Sequence, residues 1–98
     1  MIEKIKKKVP VKLKGDERNI FLFREEGEKL IIQGTHIIYI LENTAKDIYN
    51  TIDDKKTVEE IIKKLSFQYN SPQNKIEKDI IEFIKYLVDK EIVKLKSF

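Results

Sequence analysis

Ninety-eight residues suffice for one domain and one core, burying roughly 60–65% of the unfolded surface and leaving no room for a deep cleft between two lobes. Apolar residues make up 41% of the chain and charged residues 38%, with a net charge of +3 and no cysteine. This composition excludes a disulfide framework, a thiolate zinc site and a cysteine nucleophile. No apolar run approaches the ~18 residues of a membrane span, and residues 1–30 lack the apolar centre of a signal peptide, so a soluble cytoplasmic protein is expected.

In chain order, residues 1–18 read as a basic N-terminal arm or lead-in and residues 19–98 as the domain proper. Lys4, Lys6, Lys7, Lys8, Lys12 and Lys14 crowd the start, opposed there by Glu3. Such an arm attracts nucleic acid or an acidic partner through long-range fields, or is simply a solvated terminus; the second reading is favoured. VPVKLK (9–14) alternates, but Pro10 demotes it to an edge or a lead-in.

Three short strands follow. NIFLFREE (19–26), KLIIQ (29–33) and IIYIL (37–41) are separated by loops holding Gly27 and Gly34, the pattern of an antiparallel meander. The third strand is apolar throughout, whereas a half-exposed strand alternates. Ile37, Tyr39 and Leu41 share one face and Ile38 and Ile40 the other.

From Asn43 the apolar period changes from two to about 3.6. Ala45, Ile48, Tyr49 and Ile52 form the stripe of a first helix, which Asn43 or Thr44 can cap with a side-chain oxygen. Asp53 to Lys56 is a turn, and Thr57-Val58-Glu59-Glu60 opens a second helix as a capping box. Val58, Ile61, Ile62, Leu65 and Tyr69 carry its stripe. Asn70-Ser71-Pro72 breaks it, and Pro72 suits the first turn of a third helix. That helix has a core face (Ile76, Ile80, Phe83, Ile84, Leu87), with Ile81 and Val88 displaced to one side. IVKL (92–95) reads as a last short strand. Strands then helices within one domain imply an α+β fold, and the short-turned helix pair before a longer helix resembles winged helix-turn-helix domains.

Catalytic chemistry finds no support in these residues. His36, the single histidine, has no sequence neighbour that would orient it as a base or share a metal, and reads as a turn residue. Asp53, Asp54, Glu59 and Glu60 suit a turn and a helix start. No phosphate-binding glycine loop, nucleophile elbow or metal-ligand spacing is present. Phe21, Phe23, Tyr39, Tyr49, Phe67, Tyr69, Phe83 and Tyr86 fall mostly on the apolar stripes, and most are expected in the core, with Tyr86 off the main stripe of the third helix. The surplus apolar surface of the third strand and third helix implies a wide core, a homodimer contact or a groove for another chain.

Over residues 20–95 the sequence resembles the PqqD family, small domains also called RiPP recognition elements. The motifs are Leu41-Glu42-Asn43-Thr44-Ala45, Ile48-Tyr49, Thr57-Val58-Glu59-Glu60-Ile61, Asp79-Ile80-Ile81 with Leu87, and Ile92-Val93. Three positions depart from the family pattern. Glu42 replaces the usual asparagine, which is shifted to Asn43, and Asp54 and Glu91 stand where glycine is common. The resemblance implies a winged helix-turn-helix-like fold, a three-stranded antiparallel meander followed by three α-helices. It implies a non-catalytic protein with no cofactor or metal, which binds the leader of a ribosomally made precursor peptide. The leader adds as a strand beside the third strand and third helix and is presented to a maturation enzyme, a radical S-adenosylmethionine protein or a leader protease. The peptide-binding residues expected on this basis are Ile37, Ile38, Tyr39 and Ile40 of the strand with Lys78, Ile81, Glu82, Lys85 and Val88 of the helix. Ile38, Ile40, Ile81 and Val88 would form apolar pockets, and Lys78 and Lys85 would pair with acidic leader residues.

Two rival readings remain. A DNA-binding winged helix would rest on the second and third helices and the basic start, but the third helix offers a mixed face of Glu77, Lys78, Glu82, Lys85 and Asp89, which disfavours nucleic acid. A structural homodimer would bury the apolar edge against its own copy.

Overall fold

The computed structural model describes residues 2–13, 21–34 and 37–97. Its centre is an antiparallel meander of β2 (Leu22–Glu26), β3 (Lys29–Gln33) and β4 (Ile38–Glu42), in the order β2-β3-β4. Gly27, at φ 60, takes the first central position of the two-residue β2–β3 loop, where a II′-type turn places glycine. Leu30, Ile32, Tyr39 and Leu41 project from one face of the sheet into the core. Ile38 and Ile40 lie on the opposite face, 56% and 54% exposed. The alternation read from the sequence therefore holds, and among the described residues the chain covers only one face of the third strand. His36 and the first two residues of the expected 19–26 strand lie outside the described residues.

Three helices follow: α2 (Thr44–Thr51), α3 (Val58–Tyr69) and α4 (Gln73–Asp89). The corner at 41–45 is made by Asn43, whose φ of 53 and ψ of -124 turn the chain sharply out of the strand. Its carbonyl accepts the first helical bond from the Asp47 N–H at 3.0 Å. Contrary to the expected cap, neither side chain closes this end: Asn43 makes no side-chain capping bond, because its positive φ turns the backbone instead. The second cap is as expected. Glu60 N–H donates to Thr57 Oγ1 at 3.2 Å, and Thr57 N–H donates to Glu60 Oε1 at 2.9 Å. Pro72 immediately precedes the first residue of α4.

The fold is α+β, a three-stranded sheet followed by helices; its likeness to a winged helix is loose. The core joins Ile48, Ile61, Leu65, Ile84 and Leu87 of the helices, and Ile52 just past α2, to the inner face of the meander. Each such side chain contributes about 1.5–3 kcal/mol through burial. The aromatic residues divide more evenly than the stripes suggest. Phe21, Tyr39 and Tyr49 are buried, but Phe23, Tyr69 and Tyr86 are exposed and Phe67 is 90% exposed. Phe67 follows the buried Leu65 by two positions, which places it on the far side of α3.

The N-terminal segment is tied to the body. Helix α1 (Ile2–Lys6) leads into β1 (Val9–Lys12), which pairs antiparallel with β5 (Val93–Lys96) in a second, two-stranded sheet. Ile5 and Val9 are 7% exposed, and the Lys8 carbonyl accepts from Val58 N–H at 2.9 Å. A solvated arm would show neither feature. Pro10 is accommodated because, among the described residues, this sheet has two strands, both of them edges. Among the described residues, no helix is long and apolar enough to cross a membrane.

Candidate functional site

Among the described residues, strand β4 is an edge of the meander, with β3 on one side only. Gly34 N–H donates to the Ile37 carbonyl at 2.8 Å, and these two residues continue the β3–β4 register in which Ile32 faces Tyr39. Hydrogen-bonded and non-bonded pairs alternate in an antiparallel ladder. Ile37, Tyr39 and Leu41 thus direct their backbone groups to β3, while Ile38 and Ile40 turn theirs to the open edge. Each of these two residues offers one donor and one acceptor there.

Opposite that edge runs α4. Between them lies a cleft of about 380 Å³, lined on the helix side by Phe83 and Tyr86 and floored by Tyr39, Leu41 and Ala45. The rings are ordered against one another. Tyr39 meets Tyr86 edge-on with centroids 6.4 Å apart, and Phe83 stacks on Tyr86 at 6.0 Å. Tyr86 nonetheless remains 42% exposed, and the Lys90 ammonium stands 5.8 Å from its ring centroid. Aromatic walls of this kind bind apolar side chains through large contact areas and restricted geometry.

The expected site residues are distributed unevenly around this cleft. Ile38, Tyr39 and Ile40 line it. Ile38 and Ile40 contribute the strand edge there, since their side chains lie on the face away from the helices. Ile37 is half-exposed just before β4. Glu82 is exposed four residues from Tyr86, a spacing that places both on one side of α4. The other helix residues are elsewhere. Ile81 is 3% exposed and belongs to the core. Lys85 and Val88 line a different cleft with Ile5 and Leu95. Lys78 is exposed and lies on that same side, two turns before Lys85 and one before Ile81 by the helical period. The physical reason is the position of the core stripe. Ile80, Ile84 and Leu87 face inward, and the surplus apolar residues flank that stripe on the side opposite Phe83 and Tyr86.

Phe83 and Tyr86 are the residues that sequence reasoning left out of the site. Phe83 belongs by spacing to the core stripe, but its place at the margin of that stripe makes it half-buried. Tyr86 carried the legible signal, an aromatic off the main stripe. A third hollow, about 280 Å³, is lined by Tyr69, Ile76 and Asp79. The Tyr69 hydroxyl donates to the Asp47 carboxylate beside it, and burial, then that bond, pushes the phenol up to about 12. This contact joins α2 to the end of α3.

Fold and cleft together define a small α+β protein with an open strand edge set against an aromatic helix flank. The family described as coenzyme PQQ synthesis protein D (PqqD) matches residues 22–93, and the chain belongs to that family. The match includes β2 to β4, the three helices and the first residue of β5. Among curated proteins, the chain is 29% identical over 63 residues to a PqqA binding protein from Gluconobacter oxydans (strain 621H). That alignment covers 64% of this chain and 66% of the relative, just under two thirds of its length. No solved structure matches the chain.

Proposed function

We propose that this protein binds the leader segment of a ribosomally made precursor peptide as a further strand on β4 and presents it to a modifying enzyme, catalysing no step itself. The observation that carries the reading is the open edge of Ile38 and Ile40 facing the cleft of Phe83 and Tyr86. An extended peptide paired there gains main-chain hydrogen bonds with little demand on its sequence. Its alternate side chains then enter the aromatic cleft, which supplies selectivity. Membership of the PqqD family and similarity to a protein named for binding PqqA support a peptide as the ligand. The modifying enzyme is of the radical S-adenosylmethionine or leader-protease class, as the family resemblance implies.

The backbone geometry yields a sharp test. Proline at Ile40 removes an outward N–H and leaves the β3–β4 ladder intact. Proline at Tyr39 removes an N–H that the ladder uses, and destabilises the sheet. Leader peptides encoded beside the gene should bind the wild-type chain with amide NMR shifts at Ile38 to Leu41 and at Phe83 to Tyr86. A net hydrogen bond contributes roughly 0.5–1.5 kcal/mol, and a factor of ten corresponds to about 1.4 kcal/mol. With the added clash of the proline ring, Ile40→Pro should weaken binding about tenfold or more while preserving the folded spectrum. Unchanged affinity in that variant would rule out strand addition at β4.

A further inference from the structure

On the side of α4 away from Tyr86, the N-terminal segment and β5 enclose a second cleft of about 320 Å³. Its apolar lining is Ile5, Val88 and Leu95, buried or half-buried. Its rim is Lys4, Lys8 and Lys85. None of these three lysines pairs with a carboxylate among the described residues, whereas Lys6 pairs with Glu77. The basic start of the chain thus acquires a definite place. Folding of residues 2–12 against β5 brings two of its lysines beside a third from the distant helix α4.

We propose that this cleft docks an acidic segment with interspersed apolar side chains, carried by the modifying enzyme that receives the precursor. The proposal rests on the carrier role argued above. Three like charges around one hollow repel each other, and an acidic ligand relieves that repulsion while being steered toward the site. The apolar floor then rewards leucine-like or valine-like side chains, which a purely electrostatic patch would not do. Single-stranded nucleic acid is a poorer match, because the lining holds no aromatic ring among the described residues on which a base could stack. Among the described residues, the second cleft shares no lining residue with the first. Leader and enzyme can therefore be held at the same time on opposite flanks of α4, as a hand-over requires.

The test is an NMR titration of the labelled full chain with a short synthetic peptide of glutamates and leucines, with and without saturating leader. Parallel arms use a lysine–leucine peptide, a glutamate–glycine peptide and single-stranded DNA. The expected result is saturable binding with shifts at Lys4 to Lys8, Lys85, Val88 and Leu95, unaffected by leader and weakened as salt rises above ~0.1 M. Lys85→Glu and, independently, Lys8→Glu should each weaken it about fivefold or more with the folded spectrum and the leader affinity preserved. Equal binding of the lysine–leucine or glutamate–glycine peptide, tighter binding of DNA at the same residues, or displacement by leader would overturn the proposal. Failure of the leader alone to bind would overturn the carrier role, and with it the identity of the partner. The glutamate–leucine arm would still decide the chemistry of the cleft.

Discussion

Glu91 has a φ of 59, a backbone region that costs a residue with a Cβ roughly 1–2 kcal/mol. It sits just past α4, where its N–H donates to the Val88 carbonyl at 3.0 Å and the Ile92 N–H donates to the Leu87 carbonyl at 2.9 Å. This pair of bonds is a Schellman closure, which normally places glycine at that position. Asp54, the other residue standing where the family commonly has glycine, has φ 66. The two differ in compensation: Asp54 Oδ1 accepts from the Lys12 N–H at 2.8 Å, and aspartate tolerates the left-handed region better than glutamate. Glu91→Gly should therefore raise stability by about 0.5–1 kcal/mol, the strain relief less the extra chain entropy of glycine. Asp54→Gly should bring no gain. Urea unfolding of both variants checks the contrast; equal gains would show that the Asp54 bond contributes nothing.

At the level of one element, α3 depends on its N-terminal end. The Glu60 carboxyl is held below the ordinary range, chiefly by the Thr57 N–H and then by the Thr57 hydroxyl. Asp53, in the turn just before, is held well below it by the Lys56 ammonium and then by the Lys56 and Lys55 N–H groups. Both carboxyls have folded values lower than unfolded ones, so each contributes stability above the usual carboxylate range near pH 4. That contribution is lost as the pH falls through the lowered values. Melting temperature followed from pH 5 to pH 2 should fall less steeply in the Asp53→Asn/Glu60→Gln double variant than in the wild type. Identical slopes would mean that neither carboxylate is coupled to folding. At neutral pH, Thr57→Ala should cost about 0.5–2 kcal/mol, the usual loss on removing an N-cap.

For the molecule as a whole, the N-terminal segment acts as a clasp between the two ends of the chain. Val9 faces Lys96 and Lys12 faces Val93 in the β1–β5 register, and Leu13 N–H donates to the Ile92 carbonyl at 2.9 Å. Removing residues 1–13 withdraws Ile5 and Val9 from the interior and leaves β5 without a partner strand. Two such side chains contribute about 3–6 kcal/mol by burial. In a domain of this size each kcal/mol corresponds to roughly 4–8 °C. The truncated chain should therefore melt more than ~10 °C lower in a thermal scan. A melting temperature within a few degrees of the full chain would show that the segment is peripheral.

What the residues determined unaided was local. The change of period at Asn43, the capping box at Thr57 and the stops at Asn70 and Pro72 each depend on neighbours a few positions away, and they place α2, α3 and α4 nearly to the residue. Strand alternation likewise separated Tyr39 and Leu41 from Ile38 and Ile40. The apolar third strand also marked the side of the sheet on which the candidate cleft lies. Tertiary structure decided the rest. A helical period relates one side chain to the next around an axis, but leaves open which flank meets the sheet. For that reason Ile81 and Val88 looked like groove residues, although Phe83 and Tyr86 face β4. Strand pairing between β1 and β5 joins opposite ends of the chain, and no local pattern encodes it. That pairing turned a lysine-rich start into the wall of a second cleft.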